Sequence, residues 1–198
     1  MQLIYLDKNK ASWIKIIKLY PPDGLTFDEF EQLWKHKPAE KHKIILRGNL
    51  QECPRYTKVY LKPYYFSRMN HEIDTNMPDR ILCLLENYAK KLNPDLNQSL
   101  VNWYESDGCI GKHSDDEGQL KKNSEIFSFS FGPATRTFVL EPKIKNENIR
   151  YKIRLEHNTL VIMGGKCQEN YLHSVPRSRS IKSTLDERRL NITFRCFN

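Results

Sequence analysis

The sequence contains no long hydrophobic run. None of its apolar stretches approaches the roughly 20 residues that a membrane-spanning helix needs. The stretch MQLIYLDKNKASWIKIIK carries charges where a signal peptide has an unbroken apolar block. We therefore expect a protein that binds no membrane and stays inside the cell, in the cytoplasm or the nucleus.

The sequence also lacks a cysteine pattern. Its five cysteines are odd in number, and no two of them have CxxC spacing. The odd number argues against a disulfide framework, and the missing CxxC pair argues against a cysteine zinc site, so we expect reduced thiols. Internal repeats and low-complexity linkers are absent too, and the 198 residues predict one domain.

Basic residues outnumber acidic ones. Hydrophobic residues make up 39% and charged residues 28% of the chain, which is typical of a globular protein. The net charge of +8 and the pI of about 9.2 favour a polyanionic partner such as nucleic acid. The same charge would also serve solubility alone, so composition leaves both interpretations open.

Helical patterns occupy the first half of the chain. Thr26 and Glu29 have capping-box spacing ahead of an apolar face, which predicts a helix that ends before Pro38. A second helix is predicted over residues 79–92, and Pro94 closes it. The segments KIILRG and TKVYLK predict two strands.

From Ser99 onward the hydrophobic period changes to two. This period predicts strands in SLVNWYE, SEIFSFSFG, TRTFVLEP, IRYKIRLE, NTLVIMGG and RLNITFRCF. Helices followed by strands favour an α+β chain whose catalytic half is a β-sandwich or barrel. Within the single domain 1–198 we therefore distinguish residues 1–98, with the helices, from a strand-built core, 99–198.

A histidine and an aspartate, His113 and Asp115, are separated by one residue. Residues i and i+2 of a strand point to the same side, so this pair can share one metal ion. His173, which follows a Gly-Gly bend, is the best candidate for a third ligand, because the other histidines lie in Lys-rich or polar connections and turns. Two histidines and a carboxylate suit non-haem Fe(II) in oxygenases. Zinc could bind the same ligands, but no HExxH motif of a zinc hydrolase is present.

The last predicted strand offers an anion site. One face of RLNITFR carries two arginines and two hydrogen-bonding groups, without an acid: Arg189, Asn191, Thr193 and Arg195. Six residues of strand span roughly 20 Å, and two inward-leaning guanidinium groups would suit a dicarboxylate near the length of 2-oxoglutarate. Asn102 and Tyr104 share a face upstream and offer further hydrogen bonds.

These motifs resemble the AlkB family of Fe(II)- and 2-oxoglutarate-dependent dioxygenases, which demethylate nucleic acids. The matching segments occur in family order: N-x-Y at 102–104, H-x-D-x-E at 113–117, S-F-G at 130–132, MGGKCQENYLHSVP at 163–176 and R-x-N-x-T-x-R at 189–195. A weaker match, PRYTKVYLKPYYFS at 54–67, is similar to the substrate-side lid of the DNA-repair members.

The resemblance implies a double-stranded β-helix (jelly roll) with N-terminal helices packed on the sheet. It implies Fe(II) as the metal, with 2-oxoglutarate and O₂ as cosubstrates, and three metal ligands: His113, Asp115 and His173. It also implies a set of 2-oxoglutarate contacts: Asn102, Tyr104, Arg189, Thr193 and Arg195, with Asn191 in support. The implied reaction demethylates bases such as N1-methyladenine or N3-methylcytosine and releases formaldehyde, succinate and CO₂.

On the substrate side, the resemblance implies that Tyr64 and Phe66 stack on the base and that Glu117 lies near the base edge. The alternatives are core aromatics and a loop carboxylate. Basic residues near the presumed mouth are expected to meet phosphates: Arg55, Lys58, Lys112, Lys121, Lys122, Arg177 and Arg179. Arg68 replaces a glycine common in DNA-repair members, and the stretch before Cys53 is short, so single-stranded DNA or RNA is expected at least as readily as duplex.

Two other functions stay open from the sequence. The same cofactor chemistry could act on a protein side chain or a small molecule, or the fold could be a catalytically silent nucleic-acid-binding module. The complete ligand set and both arginines argue against the silent module. We expect a monomeric enzyme whose partner is a methylated nucleic acid, in repair or regulation.

Overall fold

Two antiparallel sheets lie face to face and enclose a deep cavity. The computed structural model describes residues 1–46, 48–66, 69–144, 149–177 and 186–198. The larger sheet has the strand order β1 (Gln2–Tyr5), β2 (Ser12–Lys18), β13 (Thr159–Gly165), β10 (Ile126–Phe131), β15 (Arg189–Arg195), β8 (Gln98–Tyr104) and β5 (Tyr56–Tyr60). The smaller sheet has the order β12 (Tyr151–Leu155), β11 (Arg136–Pro142), β14 (Tyr171–Val175) and β9 (Ile110–His113). Together they form the double-stranded β-helix that the resemblance implied.

Helices cover the outer face of the larger sheet. Helix α1 (Phe27–Lys35) begins at Thr26, whose hydroxyl accepts a hydrogen bond from the backbone N–H of Glu29, while the Glu29 carboxylate accepts one from the backbone N–H of Thr26. The second helical segment comprises α2 (Asp79–Leu84), a π-helical turn (Leu85–Ala89) and α3 (Lys90–Leu92). A short helix, α4 (Cys167–Asn170), connects β13 to β14. None of the described helices combines the length and the hydropathy needed to cross a membrane.

The alternation in β15 explains how one strand serves both sides of the larger sheet. Leu190, Ile192 and Phe194 are fully buried against the residues of the helices, such as Phe30 and Ile81. The intervening polar residues therefore face the space between the two sheets. A second apolar cluster, with Phe138 of β11, fills part of that space.

Two hairpins stand beside the sheets on the cavity side. One pairs β3 (Lys43–Leu46) with β4 (Asn49–Glu52), and the other pairs β6 (Tyr64–Phe66) with β7 (Met69–His71). Ile44 of the first hairpin, and Tyr64 and Phe66 of the second, line the cavity. Arg68, at which the sequence departs from the family pattern, lies outside the described residues.

The predicted helices and strands are confirmed, and the five cysteines are free thiols. The sequence did not predict β1 and β2, which extend the larger sheet beside β13. SWIKIIK is apolar on both faces: Ile14 packs between the sheets and Ile17 packs with the helix-side cluster. Since β1, β2 and β5 all precede residue 99, the larger sheet is not confined to the second half of the chain.

Candidate active site

One cavity of about 330 Å³ between the two sheets brings together the site residues predicted from the sequence. Its walls include every one of them: Arg55, Tyr64, Phe66, Asn102, Tyr104, His113, Asp115, Glu117, His173, Arg189, Asn191, Thr193 and Arg195. The larger sheet supplies the residues of β8 and β15, the smaller sheet supplies the two histidines, and the β6–β7 hairpin supplies the aromatics. Residues far apart in the sequence therefore form one site.

Strand pairing places the two histidines side by side. His113 ends β9, and it lies directly opposite His173 in the β9–β14 pair. Their ring centroids are 4.1 Å apart. Asp115 follows two residues after His113, and one Oδ atom of its carboxylate lies 3.4 Å from Nε2 of His113 and 3.8 Å from Nε2 of His173. These three ligand atoms lie within 4.8 Å of one another, close enough to hold a single metal ion.

The two carboxylate oxygens of Asp115 face different partners. Oδ2 accepts hydrogen bonds from Nε and Nη2 of Arg195, at 2.9 and 2.8 Å. Oδ1 faces the two histidines and is free to bind a metal. Burial would raise the pKa of Asp115, but Arg195 and the histidines hold that pKa well below its usual range. The carboxylate is therefore ionised and oriented before any metal arrives.

The histidines are also oriented for metal binding. Nδ1 of His113 donates to the carbonyl oxygen of Gly111 at 2.9 Å, and its Nε2 faces the carboxylate of Asp115. Burial, together with the neighbouring His113, lowers the pKa of His173 to about 3, so its imidazole is neutral at physiological pH. Two imidazoles and one carboxylate form a donor set that fits Fe(II) and leaves coordination positions open.

Arg189 lines the cavity and has no acidic partner among the residues that the structure describes. It is 2% exposed, and its Nη2 donates to the hydroxyl of Ser130 at 2.8 Å. Its Nε and Nη1 are buried and have no hydrogen-bond partner within the described part of the chain. The guanidinium lies over the ring of Tyr104, 4.9 Å from the centroid. Buried donors without partners are costly, so this group fits a bound carboxylate such as that of 2-oxoglutarate.

The two arginines of β15 differ in a way that the sequence did not show. We expected each guanidinium to grip one carboxylate of 2-oxoglutarate, but Nε and Nη2 of Arg195 already bind Asp115, and its Nη1 faces Gln98 at 3.4 Å. Arg195 therefore orients the metal ligand while Arg189 keeps open donors, and a contact of both guanidinium groups with the keto acid stays a prediction. Strand periodicity gave both side chains the same face but could not identify their partners on other strands.

The polar residues between the two arginines form a hydrogen-bond network. Nδ2 of Asn191 donates to the Ser128 hydroxyl and to the carbonyl of Phe129, and Thr193 donates to Oδ1 of Asn191 at 3.2 Å. These bonds tie the centre of β15 to β10, and support of the 2-oxoglutarate contacts by Asn191 stays a prediction. On the neighbouring strand β8, Oδ1 of Asn102 accepts from Nε of Arg55 at 3.0 Å and from the hydroxyl of Thr57 at 2.9 Å.

The aromatics expected to stack on a base lie in the cavity wall. Tyr64 is 2% exposed and its ring faces the Arg195 guanidinium at 4.9 Å. Phe66 is 8% exposed and stacks on His71, with ring centroids 3.8 Å apart and planes inclined by 9°. Both side chains therefore also belong to an apolar cluster, which was the alternative interpretation. The two roles are compatible, because both residues border the cavity.

Glu117 lies in the same wall, between the metal ligands and Tyr64. Burial raises the pKa of its carboxyl, and the nearby charge of Asp115 raises it further. Its buried Oε2 has no hydrogen-bond partner among the residues that the structure describes. An unpartnered carboxyl oxygen beside a cavity is suited to hydrogen bonding with a ligand.

Several of the basic residues expected at the mouth are buried or paired with an acidic residue. Arg55 is only 8% exposed and lies in the cavity wall, and its contact with a phosphate stays a prediction. Three lysines are in ion pairs: Lys58 with Asp74, Lys112 with Glu141 and Lys121 with Asp95. Lys122 and Arg177 are exposed, and Arg179 lies outside the described residues.

Sequence reasoning missed several residues of the site. Ser128 and Ser130 alternate with buried phenylalanines in FSFSF, and this period of two was a usable signal for cavity-facing hydroxyls. Phe138 packs beside the ring of His173 at 5.5 Å between centroids. His71 had been assigned to a polar loop. Its contact with Phe66 depends on the pairing of β6 with β7, which no short pattern in the sequence predicts.

Comparison with known proteins agrees with this geometry. The profile of the 2OG-Fe(II) oxygenase superfamily matches residues 27–195. The structure of OsALKBH1 superposes with a TM-score of 0.61 at 19% sequence identity, covering 92% of this chain and 97% of that one. At that identity the structural likeness concerns the fold alone.

Two curated relatives are more similar in sequence. Alpha-ketoglutarate-dependent dioxygenase alkB homolog 3 of Bos taurus is 33% identical over 175 residues, which cover 84% of this chain and 59% of the relative. DNA oxidative demethylase ALKBH2 of Mus musculus is 37% identical over 186 residues, which cover 85% of this chain and 72% of the relative. The chain thus spans about three fifths of the bovine protein and rather more of the murine one. By profile and by relatives, it belongs to the 2OG-Fe(II) oxygenase superfamily and, within that superfamily, to the AlkB-like proteins.

Proposed function

We propose that this protein is an Fe(II)- and 2-oxoglutarate-dependent oxidative demethylase of N-alkylated nucleobases. The observation that carries the proposal is a single cavity with two kinds of wall. One wall has the His-Asp-His donor set beside an arginine with free donors, and the other has aromatics and a carboxyl oxygen that has no partner among the described residues. The names of the relatives, a dioxygenase and a DNA oxidative demethylase, support the same proposal.

Each side chain has a task in the proposed reaction. The metal would be held by His113, Asp115 and His173, and Fe(II) with O₂ and 2-oxoglutarate supplies the oxidising chemistry. Arg189 would bind and orient the distal carboxylate of the keto acid, because it lines the cavity and two of its donors have no partner among the described residues. Arg195 holds Asp115 in the orientation that leaves Oδ1 towards the metal site. Arg189 and Arg195 would therefore position the keto acid and the metal ligand Asp115 for the metal chemistry.

The substrate wall suits a base that has left its stack. A methylated base must be extruded to approach the metal, and it is then held by stacking and by contacts at its edge. Phe66 supplies an aromatic face on the cavity side, while Glu117 can accept from an exocyclic amine such as that of adenine or cytosine. Arg55 is a buried cation in the same wall and can meet a phosphate that enters the cavity with the nucleotide.

The proposed reaction balances with one molecule of each cosubstrate. One oxygen atom of O₂ hydroxylates the N-methyl carbon, and the other enters succinate as 2-oxoglutarate loses CO₂. The hydroxymethyl group then leaves the nitrogen as formaldehyde, and the base regains its unmethylated form. We infer that single-stranded nucleic acid is accepted at least as well as duplex, since few described cations near the mouth are free of ion pairs.

Incubation with methylated oligonucleotides tests the proposal. Oligonucleotides with N1-methyladenine or N3-methylcytosine, as DNA or RNA and as single or double strands, are mixed with protein, Fe(II), 2-oxoglutarate and ascorbate. We expect mass spectrometry to show loss of one methyl group with an equal amount of formaldehyde. His173→Ala should abolish this turnover while oligonucleotide affinity persists. Turnover of 2-oxoglutarate that no oligonucleotide stimulates would instead favour a protein or small-molecule substrate.

A further inference from the structure

Gln168 reaches the metal site from the short helix α4. Its side-chain Oε1 accepts a hydrogen bond of 2.9 Å from the backbone N–H of Asp115, 53 residues earlier in the chain. Its Nε2 lies 3.3 Å from the sulfur of Met163, a residue that lines the cavity. Gln168 does not itself line the cavity; it lies behind the wall and contacts two residues that do, Asp115 and Met163.

The helix that carries Gln168 is firmly held. Gly165 has a φ of +61°, and a Cβ atom there would overlap the backbone oxygen of Ala11, so glycine is needed for the turn out of β13. The next residue, Lys166, donates its backbone N–H to that same oxygen at 2.8 Å. Cys167 is 1% exposed, and Asn170 donates to the hydroxyl of Ser12 at 3.1 Å. The helix α4 is thereby fixed to the start of β2 and offers Gln168 from a rigid support.

The segment that carries Asp115 has less support of its own. The strand β9 ends at His113, and residues 114–117 belong to no described helix or strand. Asp115 is held at two points: Arg195 binds its carboxylate, and Gln168 binds its backbone N–H. The side-chain bond fixes one oxygen atom, whereas the backbone bond fixes where the whole residue lies relative to His113 and His173.

We propose that Gln168 is a positioning residue for the metal site, which sets the backbone of Asp115 so that Oδ1 meets the two histidines. Because α4 immediately precedes the strand of His173, the contact joins the segments of two metal ligands. The proposal rests on the metal site and not on the identity of the substrate. Loss of a partner that orients a metal ligand typically weakens metal binding about 10- to 100-fold.

Equilibrium binding of Mn(II), followed by its electron paramagnetic resonance signal, tests this role without any turnover. In Gln168→Met the side chain keeps its length and loses the acceptor, and we expect the Mn(II) dissociation constant to rise about tenfold or more. In Gln168→Glu the acceptor remains, and affinity should equal or exceed that of the wild-type protein. Glu169→Gln, on the same helix, is the matched control and should bind Mn(II) like the wild type.

The other outcomes contradict the role. If Gln168→Met binds Mn(II) within twofold of the wild type, or if Gln168→Glu is weakened as much as Gln168→Met, the accepted hydrogen bond does not position Asp115. The metal-free variants are expected to unfold within about 4 °C of the wild type, since loss of one partly buried hydrogen bond shifts the melting temperature of a domain of this size by only a few degrees. A large common loss of thermal stability in both Gln168 variants would assign the residue to folding and overturn the proposal.

Discussion

At the scale of single residues, the division of work between Arg189 and Arg195 defines the site. Both project from the same face of β15, and both are buried. Arg195 is neutralised by Asp115, whereas no described acid is paired with Arg189. A buried guanidinium without an acid destabilises the empty protein, and an anionic ligand would relieve that cost. Burial accordingly lowers the pKa of Arg189 from its ordinary value.

The affinity for 2-oxoglutarate should depend on Arg189 in a graded way. Arg189→Ala removes the charge and both open donors, and we expect the dissociation constant of 2-oxoglutarate to rise roughly 10- to 100-fold, as the loss of a charge-assisted contact of about 1.5–3 kcal/mol predicts. Arg189→Lys keeps the charge and loses the planar guanidinium fork. Its dissociation constant for 2-oxoglutarate should therefore fall between those of the wild type and of Arg189→Ala. Calorimetric titration of the Mn(II)-loaded protein measures this.

The neighbouring arginine provides the control. Arg188 pairs with Glu31 and Asp186 and does not line the cavity, so Arg188→Lys should bind 2-oxoglutarate like the wild type. Equal affinity in Arg189→Lys, Arg189→Ala and the wild type would show that the keto acid does not use Arg189.

At the scale of elements, the β6–β7 hairpin links the substrate wall to an aromatic cluster. Phe66 borders the cavity, and His71 on the partner strand stacks against it. His42 adds an edge contact to both rings, with centroids 5.8 Å from Phe66 and 4.8 Å from His71. Burial lowers the pKa of His71 and lowers that of His42 to about 4, so both rings are neutral at physiological pH. The cluster fixes the plane of the Phe66 ring.

Removing the His71 ring should weaken oligonucleotide binding specifically, if a base stacks on Phe66 as proposed. A stacked aromatic pair contributes about 0.5–1.5 kcal/mol, so we expect His71→Ala to raise the KM for a methylated oligonucleotide roughly 2- to 10-fold. His71→Phe retains the stack and should restore the wild-type KM. The affinity for 2-oxoglutarate should stay constant in both variants. An unchanged KM in His71→Ala would remove His71 from the substrate wall.

The elements also show which parts of the structure the sequence could predict. The period of two in RLNITFR correctly separated the cavity face from the helix face, because side-chain direction in a strand is a local property. The placement of His113 opposite His173 was not predictable in the same way. It depends on the pairing of β9 with β14, and strand partners are chosen by packing of the whole sheet.

At the scale of the whole molecule, the jelly roll explains how a site can be built from residues 55 to 195. The fold was implied by the order of motifs, but the sheet edges were not: β1 and β2 extend the larger sheet beside β13, and β2 is apolar on both faces. The charge of +8 likewise suggested free cations at the mouth. The structure pairs Lys58, Lys112 and Lys121 with acids, because ion pairing depends on neighbours in space.

The central claim is that His113, Asp115 and His173 hold Fe(II) in a cavity where Arg189 binds the keto acid. Anaerobic titration of the Fe(II)-loaded protein with 2-oxoglutarate, followed by visible absorption, tests it most directly, because a keto acid chelated to Fe(II) produces a charge-transfer band. The account predicts a band that saturates at one 2-oxoglutarate per chain and that His173→Ala abolishes. A protein that binds both components without producing the band, or a band that survives in His173→Ala, would contradict it.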